Sequence, residues 1–300
     1  MKPHRLLTLN NVIARIEPVA SALELHGESY QTGVAQTSFC DTDHQNSVAL
    51  ATNHGWLKLA VDNDAVSLIL TTPRIARLKS NNFPKPLLLC DNLEEVFYYL
   101  HNQALHETTF VSPAVERHQE IAPSVNVHPS AVLEGEIVIA ENVQVGPFCF
   151  LQGPLFIGGR YSSTRFLFHW KRWVVNKKSQ RSHQQVKHFG GVRIGANCQI
   201  FSGTRIAKSA IFQSDTVLED EVSCGEEVVI GHDARIQSES IVAAAAAISG
   251  KACIGPSCWI GAGSLIADSV QVGHHSSVKE GGGCHSVHGT SLHRLRKYRT

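Results

Sequence analysis

The chain has 300 residues, of which 43% are hydrophobic, and its 27 lysines and arginines nearly balance its 26 aspartates and glutamates. This length allows two domains with their own cores, and the near-zero net charge argues against nucleic-acid binding through overall charge. Because the N-terminal residues lack a signal-peptide core and no apolar run is long enough to cross a bilayer, we expect a soluble, cytoplasmic protein without an integral membrane segment.

Residues 1–105 contain no repeat and are predicted to form a small α/β domain with a linker helix. The segment AVSLILTTP, residues 65–73, indicates a buried strand that ends at a turn. The segment DNLEEVFYYLHNQAL, residues 91–105, opens with Asp-Asn and places apolar residues at helical spacing, which predicts a helix. We expect this helix to join the first domain to the second.

A six-residue repeat dominates the rest of the chain, in one array that begins at Ile121 and a second that runs in phase from Ile194 to Ser277. The first position of each hexad is apolar, the second is often Gly or Ala, and the fifth is usually small or β-branched. This pattern predicts a left-handed parallel β-helix, a mainly β fold in which three hexads close one triangular coil. An ordinary parallel sheet is the alternative, but helical segments would then separate its strands, and none is indicated.

The domain boundaries follow from these arrays. The β-helix is predicted over residues 106–278, with an insertion loop at 159–191 and a short basic tail at 279–300. The insertion contains eight lysines or arginines, two tryptophans and no acidic residue. It is either a solvated loop or a basic, aromatic surface that touches an anionic partner.

The eight cysteines show neither a CxxC pair nor the spacing of a zinc site. Cys149, Cys198 and Cys258 all fall at the fifth hexad position, where a small side chain is expected to stack inside the β-helix. We therefore expect reduced, buried cysteines, as in an intracellular protein, and no metal ligands among them.

One family shares the order of these parts: a small N-terminal domain, a helix, a hexad array, a long insertion ending in GG, and a second array. The chain resembles UDP-3-O-acylglucosamine N-acyltransferase of lipid A biosynthesis, most closely in FGGVRIGAN, residues 189–197, and IGHD, residues 230–233. The resemblance implies transfer of a 3-hydroxyacyl group from the phosphopantetheine thioester of acyl carrier protein to the 2-amine of a UDP-linked glucosamine, with no further cofactor. It also implies a homotrimer with active sites between neighbouring β-helices.

Amide formation from a thioester needs a base for the attacking amine and hydrogen-bond donors for the tetrahedral oxyanion. His232 is the candidate base because an imidazole titrates near neutrality, and the neighbouring Asp233 could orient its ring. The resemblance matches His232 to the family's catalytic histidine, which is usually followed by Asn. From the residues alone, His232 could also be an exposed histidine at a corner of the repeat.

Two further positions are matched to the family's active site. Gly250 lies eighteen residues after His232, one coil further along, and the resemblance makes it the oxyanion-hole glycine. The plainer interpretation is a glycine that eases a turn. Ser269, next to Asp268, occupies the place of the family's second histidine, and a serine can donate a hydrogen bond but cannot carry a positive charge.

Asn53 and Trp56 are the candidate uridine-binding residues, since the family stacks uracil on aromatic rings in a motif ending Asn-x-x-Tyr. An indole is a good stacking surface, and an amide can bond the edge of the base. Leu50 replaces the family's other aromatic residue. The alternative is that Trp56 is a core residue.

Three other functions stay open at this point. A metal-dependent carbonic anhydrase would need three converging histidines, and the second array offers only His232, His274 and His275. A non-catalytic binding protein, or an acetyltransferase that uses coenzyme A, would preserve the same repeat. The array also ends about one hexad earlier than in the family, which leaves the acyl length undefined, and the basic tail could meet acyl carrier protein or have no fixed structure.

Overall fold

The computed structural model describes residues 6–26, 33–76, 83–103, 119–159, 162–164 and 186–284, which fall into two compact units. The first unit holds the described residues up to 103, together with Val186 and Lys187. The second unit holds the described residues from 119 onward, apart from those two. Most of the predicted insertion, and the tail beyond Cys284, lie outside the described residues.

The first unit is an α/β fold built on a five-stranded sheet with the order β2-β7-β6-β5-β4. Strands β4 to β7 are parallel, β2 is antiparallel to β7, and β1 pairs with β3. Its elements are β1 Leu7–Thr8, α1 Leu9–Ile16, β2 Glu24–His26, β3 Gly33–Val34, β4 Gln36–Ser38, β5 Ser47–Leu50, α2 His54–Asp62, β6 Val66–Thr71, α3 Pro73–Ala76, β7 Leu87–Leu89 and α4 Leu93–Asn102.

Both elements that the sequence predicts in this unit are confirmed. The buried strand is β6, and the predicted helix is α4. Helix α4 buries Val96, Phe97 and Leu100 in one core with residues of β5, β6 and β7. Burial of each such side chain contributes about 1.5–3 kcal/mol, so the helical spacing of the apolar residues fixes which face meets the sheet.

The second unit is the predicted left-handed parallel β-helix. Its three faces are the sheets β8-β11-β14-β16-β19-β22-β25-β28, β9-β12-β15-β17-β20-β23-β26-β29 and β18-β21-β24-β27-β30, called here faces one, two and three. A separate parallel pair joins β10 to β13. The strands are β8 Gln119–Ile121, β9 Asn126–Val127, β10 Val132–Glu134, β11 Ile137–Ile139, β12 Val143–Val145, β13 Phe150–Gln152, β14 Leu155–Ile157, β15 Ser162–Thr164, β16 Gly191–Ile194, β17 Gln199–Ile200, β18 Arg205–Ile206, β19 Asp215–Leu218, β20 Ser223–Cys224, β21 Val229–Ile230, β22 Arg235–Ile236, β23 Ile241–Val242, β24 Ala247–Ile248, β25 Cys253–Ile254, β26 Trp259–Ile260, β27 Leu265–Ile266, β28 Gln271–Val272, β29 Ser277–Val278 and β30 Gly283–Cys284.

The hexad repeat explains the interior of this unit. First-position residues such as Ile230, Ile248 and Ile266 pair across successive coils and are buried. Cysteines at the fifth position are buried as predicted, and burial raises the pKa of Cys198 to about 11, so its thiol stays protonated and unreactive. Seven of the eight cysteines are buried, whereas Cys253 is partly exposed.

One coil is larger than the repeat predicts. From β21 onward, paired residues are eighteen apart, as in Ile230 and Ile248. Between β18 and β21 they are twenty-four apart, as in Ile206 and Ile230. The extra six residues lengthen the connection between β18 and β19, segment 207–214, which replaces the usual short corner between faces three and one. The sequence keeps its six-residue phase through this coil, so the phase alone does not reveal a fourth hexad.

The far end of the β-helix also differs from the expectation. Strand β30 pairs in parallel with β27 and extends the β-helix through Cys284, beyond residue 278, where the array was predicted to end. The hexad VKEGGG therefore forms a further side of the coil. Among the described residues, no helix is long and apolar enough to span a membrane.

Candidate active site

His232 lies at the corner between β21 on face three and β22 on face one. Its Nδ1 is 2.7 Å from Oδ2 of Asp233, and the two side chains are 14% and 6% exposed. An ionised carboxylate only accepts hydrogen bonds, so Nδ1 carries a hydrogen. In the neutral form of the ring, Nε2 is therefore the nitrogen that carries the lone pair and can accept a proton.

Asp233 is itself held by several donors. Ser209 donates a short hydrogen bond from Oγ to Oδ1, and the N–H of Ala210 donates to Oδ2 at 3.2 Å. The backbone N–H of Asp233 donates to Oγ1 of Thr216 at 2.9 Å. Burial raises the pKa of Asp233, but the hydrogen bonds from His232, Ser209 and Ala210, together with the charge of His232, outweigh it and leave the pKa below its ordinary value. Asp233 is therefore ionised at neutral pH.

Gly250 lies one coil beyond His232 at the same corner. A Cβ atom at Gly250 would lie 2.8 Å from Nε2 of His232 and 2.9 Å from its Cε1, so any side chain there would collide with the imidazole. The N–H groups of Ser249 and Lys251 donate to the carbonyls of Ile266 and His232, whereas that of Gly250 has no acceptor among the described residues. The missing side chain of Gly250 thus lets the imidazole of His232 pack directly against the backbone of the next coil.

Ser269 lies on an exposed part of the same corner, where its Oγ donates to Oδ2 of Asp268 at 2.9 Å. Asp268, two coils from His232, is the residue whose Oδ1 would lie 3.0 Å from a Cβ at Gly250. The structure therefore brings His232, Asp233, Gly250 and Asp268 into one row, and Ser269 reaches that row through Asp268.

His188 is the site residue that sequence reasoning missed. Its ring centroid is 5.4 Å from that of His232, with the two planes 78° apart, and its Nδ1 is 2.8 Å from the carbonyl of Lys208. Burial, reinforced by the charge of His232, lowers the pKa of His188 to about 4. Because His188 precedes His232 by 44 residues, no multiple of the eighteen-residue coil links them. The only feature of the sequence that marks His188 is its position directly before the residues FGG, which lead into β16.

Asn53 and Trp56 lie in the first unit, where β5 leads into α2. Asn53 caps α2, and its Oδ1 accepts the N–H of Trp56 at 2.9 Å. Trp56 is partly buried against a core cluster that includes Leu57 and Ala60. The capping bond occupies the amide oxygen of Asn53 and leaves its NH₂ group as a donor for a ligand. Part of the indole of Trp56 packs in the core, and the rest is exposed. Ligands of parallel α/β sheets bind at such carboxyl ends of strands.

The histidines of the metal-dependent alternative do not converge. His274 and His275 lie together at the corner between faces one and two, with ring centroids 5.3 Å apart, whereas His232 lies at the corner between faces three and one. Within the described ranges, no group of three or more histidine, cysteine, aspartate or glutamate side chains could hold a metal ion. This arrangement does not fit the three-histidine site of a zinc enzyme.

No protein-family model matches the chain. It is similar to the solved structure of UDP-N-acetylglucosamine O-acyltransferase from Moraxella catarrhalis, with 19% identity over 54% of this chain and 63% of that one, and a TM-score of 0.34. A UDP-N-acetylglucosamine acyltransferase from Bacteroides fragilis gives 18% identity over 58% and 67%, with a TM-score of 0.36. The acetyltransferase domain of PglB from Neisseria gonorrhoeae gives 12% over 67% and 62%, with a TM-score of 0.23.

The chain spans less than two thirds of the length of the Moraxella protein. At these identities and TM-scores the likenesses carry no argument about activity or substrate. The chemistry of this chain has to be argued from its own corner residues.

Proposed function

We propose that the protein is an acyltransferase that moves an acyl group from a thioester to an amine, with His232 as the general base. The observation that carries the proposal is the His232–Asp233 pair beside Gly250. A buried carboxylate fixes Nδ1 as the donor, which leaves Nε2 as a base, and the missing side chain of Gly250 brings Nε2 close to the backbone of a residue whose N–H has no acceptor among the described residues.

The reaction follows from this arrangement. As the amine nitrogen attacks the thioester carbonyl, a C–N bond forms and one N–H proton passes to Nε2 of His232. Asp233 stabilises the resulting imidazolium through Nδ1–H, in the manner of a base–orienter pair. The oxyanion accepts a hydrogen bond from the N–H of Gly250. Collapse of the intermediate breaks the C–S bond, and the proton on Nε2 passes to the departing thiolate.

The proposed acceptor is the 2-amine of a UDP-linked glucosamine that carries a 3-O-acyl group, as in lipid A biosynthesis. Support comes from the order of parts in the sequence and from Asn53 and Trp56, which offer an amide donor and a partly exposed indole at one strand end. The proposed donor is acyl carrier protein, whose phosphopantetheine supplies the thioester. Acyl coenzyme A presents the same thioester, and a direct comparison of donors has to decide between them.

We further propose that the protein works as a homotrimer. Ile241 and Trp259 pair side by side on face two and are 40% and 47% exposed. Adjacent exposed apolar residues favour contact with another protein surface, and closed cyclic symmetry suits a three-faced subunit. Light scattering of the purified protein should give three times the chain mass, and a stable monomer would contradict this arrangement.

The test of the activity uses purified protein, a panel of UDP-amino sugars that includes UDP-3-O-acylglucosamine, and acyl groups on acyl carrier protein or coenzyme A. Mass spectrometry should detect an N-acylated nucleotide sugar with the wild type, and its formation should be strongly reduced in Asp233→Ala. If no UDP-amino sugar is acylated from either donor, the proposed function is wrong.

A further inference from the structure

His188 has a buried acceptor atom that nothing in the described structure satisfies. Its Nδ1 lies 2.8 Å from the carbonyl of Lys208, which can only accept, so Nδ1 carries the hydrogen. Nε2 then carries a lone pair, and this atom is buried without a hydrogen-bond partner among the described residues. An unmet buried polar atom costs about 1–3 kcal/mol, so its retention beside a candidate base calls for an explanation.

The position of His188 is built into the fold. Phe189 and Gly190 donate backbone hydrogen bonds to the carbonyls of Ala210 and Ser209, at 3.2 and 3.0 Å. These two acceptors belong to the extra hexad, whose Ser209 also holds Asp233. The same short segment therefore anchors both the orienting carboxylate and a second imidazole beside His232.

We propose that His188 is a positioning residue for His232: the lone pair on Nε2 of its neutral ring, which Lys208 fixes in edge-to-face contact with His232, stabilises the imidazolium that forms when His232 accepts a proton. A neutral aromatic ring or lone pair beside a cation is stabilising, and more so where water is excluded. The low pKa of His188, about 4, keeps it uncharged at neutral pH, so it does not repel that cation. The catalytic part of the inference rests on the proposed function, whereas the effect on the titration of His232 does not.

Several charged groups lie near His188 and His232 and influence the pKa values of both rings. Asp233 bonds to Nδ1 of His232, and Asp268 approaches the space at Gly250 beside Nε2. Lys208 lies next to His188, where its Nζ donates to the carbonyl of Gly153 at 3.0 Å and burial lowers its pKa. Lys251 follows Gly250 on the next coil. The variants below leave all four of these side chains unchanged.

Two substitutions separate the effect of the donor at Nδ1 of His188 from that of the acceptor at Nε2. In His188→Asn the amide can still donate to the carbonyl of Lys208, as Nδ1 does, but the acceptor at Nε2 is gone. In His188→Gln the amide oxygen can stand at the place of Nε2 and restore that acceptor. His275→Asn, at an exposed corner of the same β-helix, is the matched control.

The experiment measures the pKa of His232 by nuclear magnetic resonance of protein labelled at histidine Cε1, with the signal assigned by its loss in His232→Ala. We expect this pKa to fall by about 0.5 to 1 unit in His188→Asn, to return toward the wild-type value in His188→Gln, and to be unchanged in His275→Asn. An unchanged pKa in His188→Asn, or equal shifts in the Asn and Gln variants, overturns the assignment.

Acyl transfer provides the second readout. His188→Asn should lower kcat about tenfold with KM little changed, because the interaction forms with the charge on His232 and not with the substrate. If the wild type transfers no acyl group, the proposed function fails while the titration still decides the role of His188. If transfer is normal in His188→Asn, the positioning role fails and the proposed function stands.

Discussion

Two corners of one β-helix share a backbone conformation and differ in the burial of their carboxylates. At the corner between faces three and one, Asp233, Lys251 and Ser269 have φ near +60°; between faces one and two, Glu239 and His275 have values close to it. Left-handed turns and the N–H to carbonyl bonds of the next coil therefore repeat at both corners. At the second corner the carboxylate of Glu239 stays exposed, where it accepts a hydrogen bond from Oγ of Ser257 at 2.9 Å.

The first corner departs from the repeated hydrogen-bond pattern at Asp233. The N–H of Asp233 donates to the hydroxyl of Thr216, whereas the equivalent N–H groups of Lys251 and Ser269 donate to backbone carbonyls. This exchange follows from the extra hexad, which displaces the preceding corner and supplies Ser209 as a further donor. The repeat thus builds a scaffold, and the coil with the extra hexad converts one corner into a site with a buried carboxylate.

The largest test of this contrast is His232→Ala. Loss of the base should reduce kcat by about 10² to 10⁴ with KM little changed, since proton transfer by a positioned base contributes that much. The unfolding free energy should fall by about 1–3 kcal/mol, because the nearly buried carboxylate of Asp233 loses the donor Nδ1, so the rates are measured well below the thermal midpoint. Glu239→Ala at the other corner is the control and should leave kcat unchanged. Equal rates for His232→Ala and the wild type would remove His232 from the mechanism.

Gly250→Ala should have the next largest effect. The new Cβ would lie 2.8 Å from Nε2 of His232 and 3.0 Å from Oδ1 of Asp268, so the imidazole and the carboxylate have to move. We expect kcat to fall about a hundredfold with the fold retained. Gly273→Ala is the matched control, because its Cβ would meet only Oγ of Ser276 at 3.8 Å. Steady-state kinetics of both variants measure kcat, and circular dichroism checks that each variant keeps the fold. Equal kcat values for Gly250→Ala and Gly273→Ala would contradict the prediction.

Ser209→Ala tests the contribution of the irregular coil. Removing the hydroxyl leaves an oxygen of Asp233 short of a donor, which should cost about 1–3 kcal/mol of unfolding free energy and about tenfold in kcat. Ser257→Ala removes a comparable bond at the exposed corner and should change neither by more than about 0.5 kcal/mol or twofold. Urea unfolding and kinetics measured on the two variants should therefore diverge. Similar losses in both would mean that the two corners are equivalent.

The sequence predicted the scaffold well because the hexad phase reports on burial directly. Ile230, Ile248 and Ile266 recur every eighteen residues, and each repeats the same inward-facing environment. The residues that distinguish the site do not recur. Ser209 and Thr216 lie within or beside an extra hexad that keeps the six-residue phase, and His188 stands where a long insertion rejoins the β-helix. Long-range contacts of this kind leave no periodic trace in a single sequence.

The smallest expected effect is a pH dependence of stability that belongs to the first corner alone. The pKa of His188 is about 4 in the folded protein, against 6.5 for an ordinary histidine, so the unfolded chain binds a proton there that the folded protein does not. Stability should therefore fall as the pH drops from about 6.5 toward 4, by about 1 to 3 kcal/mol for this group.

His188→Gln cannot titrate, so its unfolding free energy should fall less between pH 7 and pH 4.5 than that of the wild type. The exposed His275, replaced by Gln, should leave the wild-type dependence intact. Parallel pH curves for the wild type and His188→Gln would show that His188 is solvated and charged like a surface histidine, and the contrast between the two corners would then rest on His232 and Asp233 alone.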